Sequence, residues 1–449
     1  MKEEVIVMQQ IKQRLEDYIE YCCQKGYFNG TWLAYKDGKI VSKGARGIAH
    51  PYEKTALKTD SIFDLASVSK QFTAAAVLLL RDRGALSLDD PLKKYFPRLP
   101  YEGICIKNIL NHTSGLPDPG MWAIEKAEEE SAAPSNRFNY RFYCEAGKPL
   151  LFEPGAQYSY SNGAYTLAAL LVEMVSGKPF RDFLREELFL PSGMSSTFIF
   201  HRRKDAKVPE NYAWPMVLSG GRYRIPEELD DLKALIQLDP NEGDGVVNSN
   251  VEDLLLWHQS LRDAAVLTHA TQSEMFRETT LLSGESYPYG YGWRLSKHPL
   301  LGRMAEHNGG WPGYSTKLYR STEHDLMMAY LLNQTGCDGL ARAEMEAGLK
   351  TILLGGEAQY PKTLEERRVC IPESRLAPLC GEYGEIEVSL ENHQLQMKMT
   401  YRESLLESEL VPVAGGAFIY AAMSMPVSLD GESLQITLDM KPRTFKKTK

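Results

Sequence analysis

The chain has 449 residues, 43% of them hydrophobic and 24% charged, with a formal net charge of −8. These values fit a soluble globular protein with one large unit and a smaller one. They argue against a nucleic-acid surface, so the basic end RTFKKTK (443–449) reads as a solvated tail. Seven cysteines (Cys22, Cys23, Cys105, Cys144, Cys337, Cys370 and Cys380) include no CxxC pair, so neither a disulfide framework nor a zinc site is predicted. The histidines lack metal-ligand spacing, and no glycine-rich phosphate loop occurs, so no metal and no cofactor are expected.

The N-terminal stretch MKEEVIVMQQIKQRLEDYIEYCCQKG lacks the apolar core of a signal peptide. It reads as an amphipathic helix with Ile11, Leu15, Tyr18, Ile19 and Cys22 on one face. With no run of about 18 apolar residues, no membrane span is predicted and a cytoplasmic location is expected. GTWLAYKDGKIVSKGARG (30–47) alternates about Asp37-Gly38, the signature of a two-residue hairpin turn. Ala66 to Arg83 reads as a buried helix stopped by Gly84. Residues 85–300 read as helices and loops, clearest at YTLAALLVEMVSG (165–177, stopped by Gly177) and VEDLLLWHQSLRD (251–263).

From about residue 302 the texture returns to strands: MAEHNGG (304–310), STKLYRS (315–321) and DLMMAYLLNQ (325–334), then a helix from about Gly339 to Leu354. Strands at both ends with helices between them predict an α+β fold. Its antiparallel sheet draws on distant segments and is flanked by helices, with a helical insertion at about 85–300. This domain is assigned residues 1–357, a linker residues 358–376, and a small all-β domain, barrel or sandwich, residues 377–449, where polar and apolar residues alternate between regular turn signals.

Ser67-Val68-Ser69-Lys70 opens the helix that begins at Ala66. A helix start offers free N–H groups to a developing oxyanion, and residues three apart share a face, so Lys70 can reach the Ser67 hydroxyl and take its proton. Ser-x-x-Lys alone recurs by chance, so two further stretches carry weight. FEPGAQYSYSNG (152–163) places Tyr160 and Asn162 just before a helix, where a phenol can shuttle protons and a carboxamide can bond both Lys70 and a substrate amide. EHNGGWPGYSTKLY (306–319) places His307, Gly309 and Gly310 on a strand, where glycine permits close approach and the Gly310 N–H can join that of Ser67 as an oxyanion donor. His112, within a turn-rich NHTSG, shows no evident partner and reads as structural. No Gly-x-Ser-x-Gly elbow appears, against an α/β-hydrolase.

Together and in this order, the three stretches resemble the motifs of the serine β-lactamase and penicillin-binding protein superfamily: Ser-x-x-Lys, Tyr-x-Asn and Lys/His-x-Gly. The Tyr form resembles the class C branch, with its low-molecular-mass penicillin-binding proteins, esterases and D-amino-acid peptidases. ILNHTSGLP (109–117), LFLPSGM (188–194), GDGVVNSNVEDLLLW (243–257) and YGYGW (289–293) look like that branch too. The resemblance covers about residues 25–355. It implies Ser67 as nucleophile, Lys70 as its activator and Tyr160 as general base and acid. Asn162, His307 and Gly309 become substrate and third-motif residues, and the backbone of Ser67 and Gly310 the oxyanion hole. It also implies an acyl-enzyme formed from a small peptide, ester or β-lactam. The branch's β-lactamases carry Lys-Thr-Gly at the third motif. His307, mostly neutral at pH 7, removes a permanent charge there. A peptidase or esterase is therefore expected first; a β-lactamase, or a penicillin-binding sensor that deacylates slowly, stands as the alternative.

Overall fold

The computed structural model describes residues 2–132, 134–299, 301–401, 404–438 and 441–448. Packing divides the chain into two units, residues 28–335 and residues 1–27 with 336–449. The N-terminal helix α1 (Lys2–Gln24) buries Ile11, Leu15, Tyr18, Ile19 and Cys22, the face its spacing predicts. The helix Gly339–Leu353 falls in the same unit, and its Gly348 lies where a Cβ would strike the Tyr18 ring.

In the unit 28–335 the hairpin β1 (Gly30–Lys36) and β2 (Lys39–Arg46) turns at Asp37 and Gly38, both with positive φ (49° and 79°), as its sequence predicts. Helix α2 (Lys70–Asp82) follows, then α3 (Asn162–Ser176) and α4 (Val251–Arg262). Four strands complete the sheet: β3 (Arg294–His298), β4 (Gly302–Trp311), β5 (Tyr314–Ser321) and β6 (Leu326–Leu332). The order is β3-β4-β5-β6-β1-β2, antiparallel throughout, so the expected sheet of distant segments forms by pairing β1 with β6 (Trp32 opposite Tyr330). Strand β3 lies inside the stretch expected to hold only helices and loops. RLSKH is a partly exposed edge strand, so nothing forces an alternating pattern on it.

Helix α2 is buried nearly all round, with Phe72, Ala74, Ala75, Ala76, Val77 and Leu78 at 0% exposure. The Phe72 ring meets Trp257 of α4 at 5.1 Å, and Trp257 Nε1 donates to Gln71 Oε1 at 2.8 Å. Gly84 and Gly177 end α2 and α3 in the left-handed region, as expected. Residues 66–69, expected to be the first helical turn, form a 3₁₀ turn instead, and the α-helix begins at Lys70. Ala66 takes a positive φ (46°), and its N–H is captured by the Asp64 carboxylate at 2.7 Å. That bond sets the turn ahead of the helix.

Residues 377–448 form an eight-stranded antiparallel meander from Gly381–Tyr383 to Lys441–Lys446. The last strand returns to the first through the Tyr383–Lys447 bridge and a Thr448 N–H to Glu382 C=O bond of 2.8 Å. This closure makes a barrel-like sheet, one of the two forms expected. Residues 358–376 contain two short helices, Leu364–Arg367 and Glu373–Leu376.

Candidate active site

Ser67 occupies the 3₁₀ turn before α2. In such a turn residues i and i+3 eclipse, which brings the Lys70 amine over the serine. Two neighbours hold the turn. The Leu65 N–H donates to Val247 C=O at 2.9 Å, and the Val247 N–H donates to Ser69 Oγ at 3.1 Å. Strand β4 passes close above: Thr316 Oγ1 of β5 donates to Leu65 C=O at 2.7 Å, and a Cβ on Gly309 would lie 2.2 Å from that same carbonyl. Only glycine fits at 309.

Lys70 is fully buried. Its Nζ lies 3.1 Å from Ser67 Oγ, 2.8 Å from Asn162 Oδ1 and 2.7 Å from the Asp244 carbonyl oxygen. Asn162 is the first residue of α3. The Ser161 hydroxyl caps that helix by accepting from the Ala164 N–H at 3.1 Å, a contact worth about 1 kcal/mol. Tyr160 precedes the cap, with its ring centroid 5.0 Å from Lys70 Nζ and 4.3 Å from the His112 ring. The structure thus gathers Ser67, Lys70, Tyr160 and Asn162 around one amine. Ser67, Asn162 and Gly310 line a common cavity, so the β4 backbone faces the serine.

His307 is placed differently from a group pointing into a cleft. It is 1% exposed and bonded inward. The Ser161 N–H donates to His112 Nδ1 at 3.1 Å, which leaves the His112 proton on Nε2, 3.2 Å from Tyr289 Oη. Tyr289 Oη in turn donates to His307 Nε2 at 2.9 Å, and His307 Nδ1 donates to the Asn308 carbonyl at 2.8 Å. This chain fixes both tautomers and ties the loop of Tyr160 to the strand of Gly309. Burial, and then the charges of Arg294 and Lys70, hold the His307 pKa well below its ordinary value, so the imidazole is neutral.

Three features escaped the sequence. His112 has partners, but they lie 49 and 177 residues away, so local context hides them. The Asp244 acceptor is a backbone carbonyl, which no residue type announces. Arg294, in YGYGWRL, sits with its guanidinium carbon 5.8 Å from the Tyr160 ring centroid, so the site retains a permanent cation despite the His-for-Lys exchange.

A family model described as Beta-lactamase matches residues 9–349. Penicillin-binding protein 4* of Bacillus subtilis (strain 168) is 33% identical over 424 residues, covering 93% of this chain and 93% of that protein. D-aminopeptidase of Brucella anthropi is 28% identical over 337 residues, covering 73% of this chain and 59% of its own length. Among solved structures, the octameric penicillin-binding protein homologue from Pyrococcus abyssi matches with a TM-score of 0.65 at 20% identity, covering 97% of this chain and 99% of that one, a likeness of fold. Among the described residues, no helix is long and apolar enough to cross a membrane. The chain belongs to the Beta-lactamase family, as a serine hydrolase of the penicillin-binding-protein and D-peptidase type.

Proposed function

We propose that this protein hydrolyses small peptides, amides or esters with a D-amino acid at the acyl position, through an acyl-enzyme on Ser67. The carrying observation is the Lys70 amine, 3.1 Å from Ser67 Oγ while its other two partners are carbonyl oxygens. The amine donates to Asn162 Oδ1 and to Asp244 C=O, which aims the remaining face of its nitrogen at the Ser67 hydroxyl. Ser67 Oγ attacks the substrate carbonyl as that proton moves to Lys70. The oxyanion takes hydrogen bonds from the Ser67 and Gly310 N–H groups. Tyr160, beside the same amine, gives its phenolic proton to the leaving nitrogen or oxygen as the scissile bond breaks; the phenolate then takes a proton from the water that attacks the acyl carbonyl, and Lys70 returns its proton to Ser67 Oγ as the acyl-serine bond breaks. His307 and Gly309 shape the strand that presents Gly310. His307 acts from beneath, through Tyr289.

The D-acyl preference leans on the D-aminopeptidase relative, and penicillin acylation on the penicillin-binding relative. We further propose that the hydrolase domain spans residues 1–357, with every residue named in this mechanism inside 28–335, and that residues 377–449 form a small β domain after a linker. The test is a side-by-side assay of nitrocefin, p-nitrophenyl esters and D-amino-acid amides, with a fluorescent penicillin as label. Turnover of amides or esters with a penicillin label that decays slowly fits the proposal. Rapid nitrocefin hydrolysis with no amide or ester turnover makes the protein a β-lactamase. A permanent label with no turnover makes it a sensor.

A further inference from the structure

A second cavity, of about 240 Å3, lies in the unit 28–335 between α4, the short helix His269–Met275 and residues 322–325, which link β5 to β6. It shares no lining residue with the cavity of Ser67. Arg320, near the end of β5, lines it at 5% exposure. The Arg320 Nε donates to His258 Nδ1 at 3.1 Å, and the guanidinium carbon lies 5.5 Å from the Phe276 ring centroid. Burial, and then the Arg320 charge, hold the His258 pKa down at about 4, so this imidazole is neutral and its Nε2–H donates to Asp325 Oδ1 at 3.0 Å. Among the described residues, the two Nη atoms of Arg320 have no hydrogen-bond partner. A guanidinium fixed at Nε and set against an aromatic ring, with four N–H donors unused, is a preformed fork.

The carboxylate whose charge offsets Arg320 is engaged elsewhere. Asp325 accepts from Tyr35 Oη and the Gly38 N–H, each at 3.0 Å, and from Arg262 Nη1 at 3.1 Å, besides His258. Arg303 pairs with Glu323 at 2.9 Å, and Asp263, the other partner of Arg262, lies outside the lining. With Arg262 set against Asp325 and Arg303 against Glu323, the charged side chains of the wall leave one positive charge over, that of Arg320. Burial, only partly offset by Asp325, holds the Arg320 pKa below its ordinary value at about 10, whereas hydrogen bonding to Asp263 raises that of Arg262. Arg320 is thus protonated at neutral pH, a buried cation whose fork is open and whose desolvation an anion would compensate. At the rim, His269 and His324 are exposed, and their imidazoles have no hydrogen-bond partner among the described residues.

We propose that this cavity is a second binding site of the protein, for the carboxylate or phosphate group of a small ligand, with two oxygens on the Nη1–H and Nη2–H of Arg320 and the His269 and His324 imidazoles as further donors. The planar fork matches two oxygens of one oxyanion in parallel, a geometry that a spherical anion such as chloride cannot use. A single surplus positive charge suits a singly charged group, and carboxylate and phosphate share this chemistry. The site is independent of the reaction at Ser67.

Calorimetric titration of the full chain with sodium acetate and, separately, sodium phosphate at pH 7 distinguishes the two sources, with sodium chloride holding the ionic strength constant. At least one oxyanion is expected to saturate a single site with a midpoint below about 10 mM, and to raise the thermal unfolding temperature by about 2 °C over chloride. Arg320→Lys keeps the charge but loses the fork, and should weaken binding about tenfold. His269→Glu, at an exposed position, sets a carboxylate at the rim without touching the core and should weaken binding by about tenfold as well. If Arg320→Lys fails to fold, His269→Glu decides alone. Ser67→Ala protein should bind the anion as the parent does. Saturable binding of neither oxyanion, binding unchanged in His269→Glu, or binding lost in Ser67→Ala overturns the proposal.

Discussion

In the unit 28–335, Lys70 and His112 are fully buried, His307 is 1% exposed and Asp64 5%. In the barrel of residues 377–448, every buried side chain among the described residues is hydrophobic, with Leu410, Met397 and Leu434 at its centre. Both regions are built on antiparallel strands. The barrel's strands alternate and fill its interior with apolar side chains, which is all that packing asks of them. The other unit accepts buried ionisable groups, which cost several kcal/mol each unless they are bonded, and it bonds them: Lys70 to three oxygens, His112 and His307 through Tyr289. Burial of polar groups, more than the kind of strand, separates the region with chemistry from the region with packing alone.

The sharpest attempt to break this contrast is Lys70→Ala. It removes the proton acceptor for Ser67 and strips a donor from Asn162 Oδ1 and Asp244 C=O, so kcat/KM should fall by about 10³-fold while the fold persists in circular dichroism. A loss below about tenfold would show that the buried amine is only structural.

Asp64 extends the contrast to pH. Burial raises its pKa from 3.8 to about 7. Between these values the folded protein holds a proton that the unfolded chain has released, so this group's contribution makes stability decline as pH rises from 4 to 7, by at most about 4 kcal/mol. Asp64→Asn keeps an oxygen for the Ala66 N–H and removes the titration, so the difference between variant and parent in chemical denaturation should grow across that window. A parallel pair of curves would contradict the assignment.

On the other side, Leu434→Ala opens a hole in an apolar core and should lower stability by about 3 kcal/mol in denaturant unfolding. That loss should not vary with pH beyond the parent's own profile, because the titratable groups buried there among the described residues, Tyr383 and Tyr420, have their phenol pKa values raised by burial and stay protonated. The smallest effect is expected from Tyr289→Phe, which leaves His112 Nε2 and His307 Nε2 without their shared partner: about tenfold in kcat, with about 1–3 kcal/mol of stability.

Much of the fold was legible because it follows from local rules. Asp37-Gly38 announced the hairpin, Gly84 and Gly177 the helix stops, and the apolar runs at 315–334 the central strands. The Ser67–Lys70 pair was legible through its spacing, and Asn162 through its place at the start of α3. What escaped depends on contacts distant in sequence or on backbone atoms. The 3₁₀ turn at Ala66 follows from one carboxylate capturing one N–H. The partners of His112 come from the loop at Ser161 and from Tyr289. Strand β3 escaped because an edge strand need not alternate.

The most direct test of the central claim is peptide mapping by mass spectrometry after acid-quenching the protein with benzylpenicillin and, in parallel, with a p-nitrophenyl ester. The predicted result is an acyl adduct on the peptide containing Ser67, absent from Ser67→Ala protein, which also loses turnover. An adduct on a different side chain, or turnover that survives in Ser67→Ala, would contradict the account.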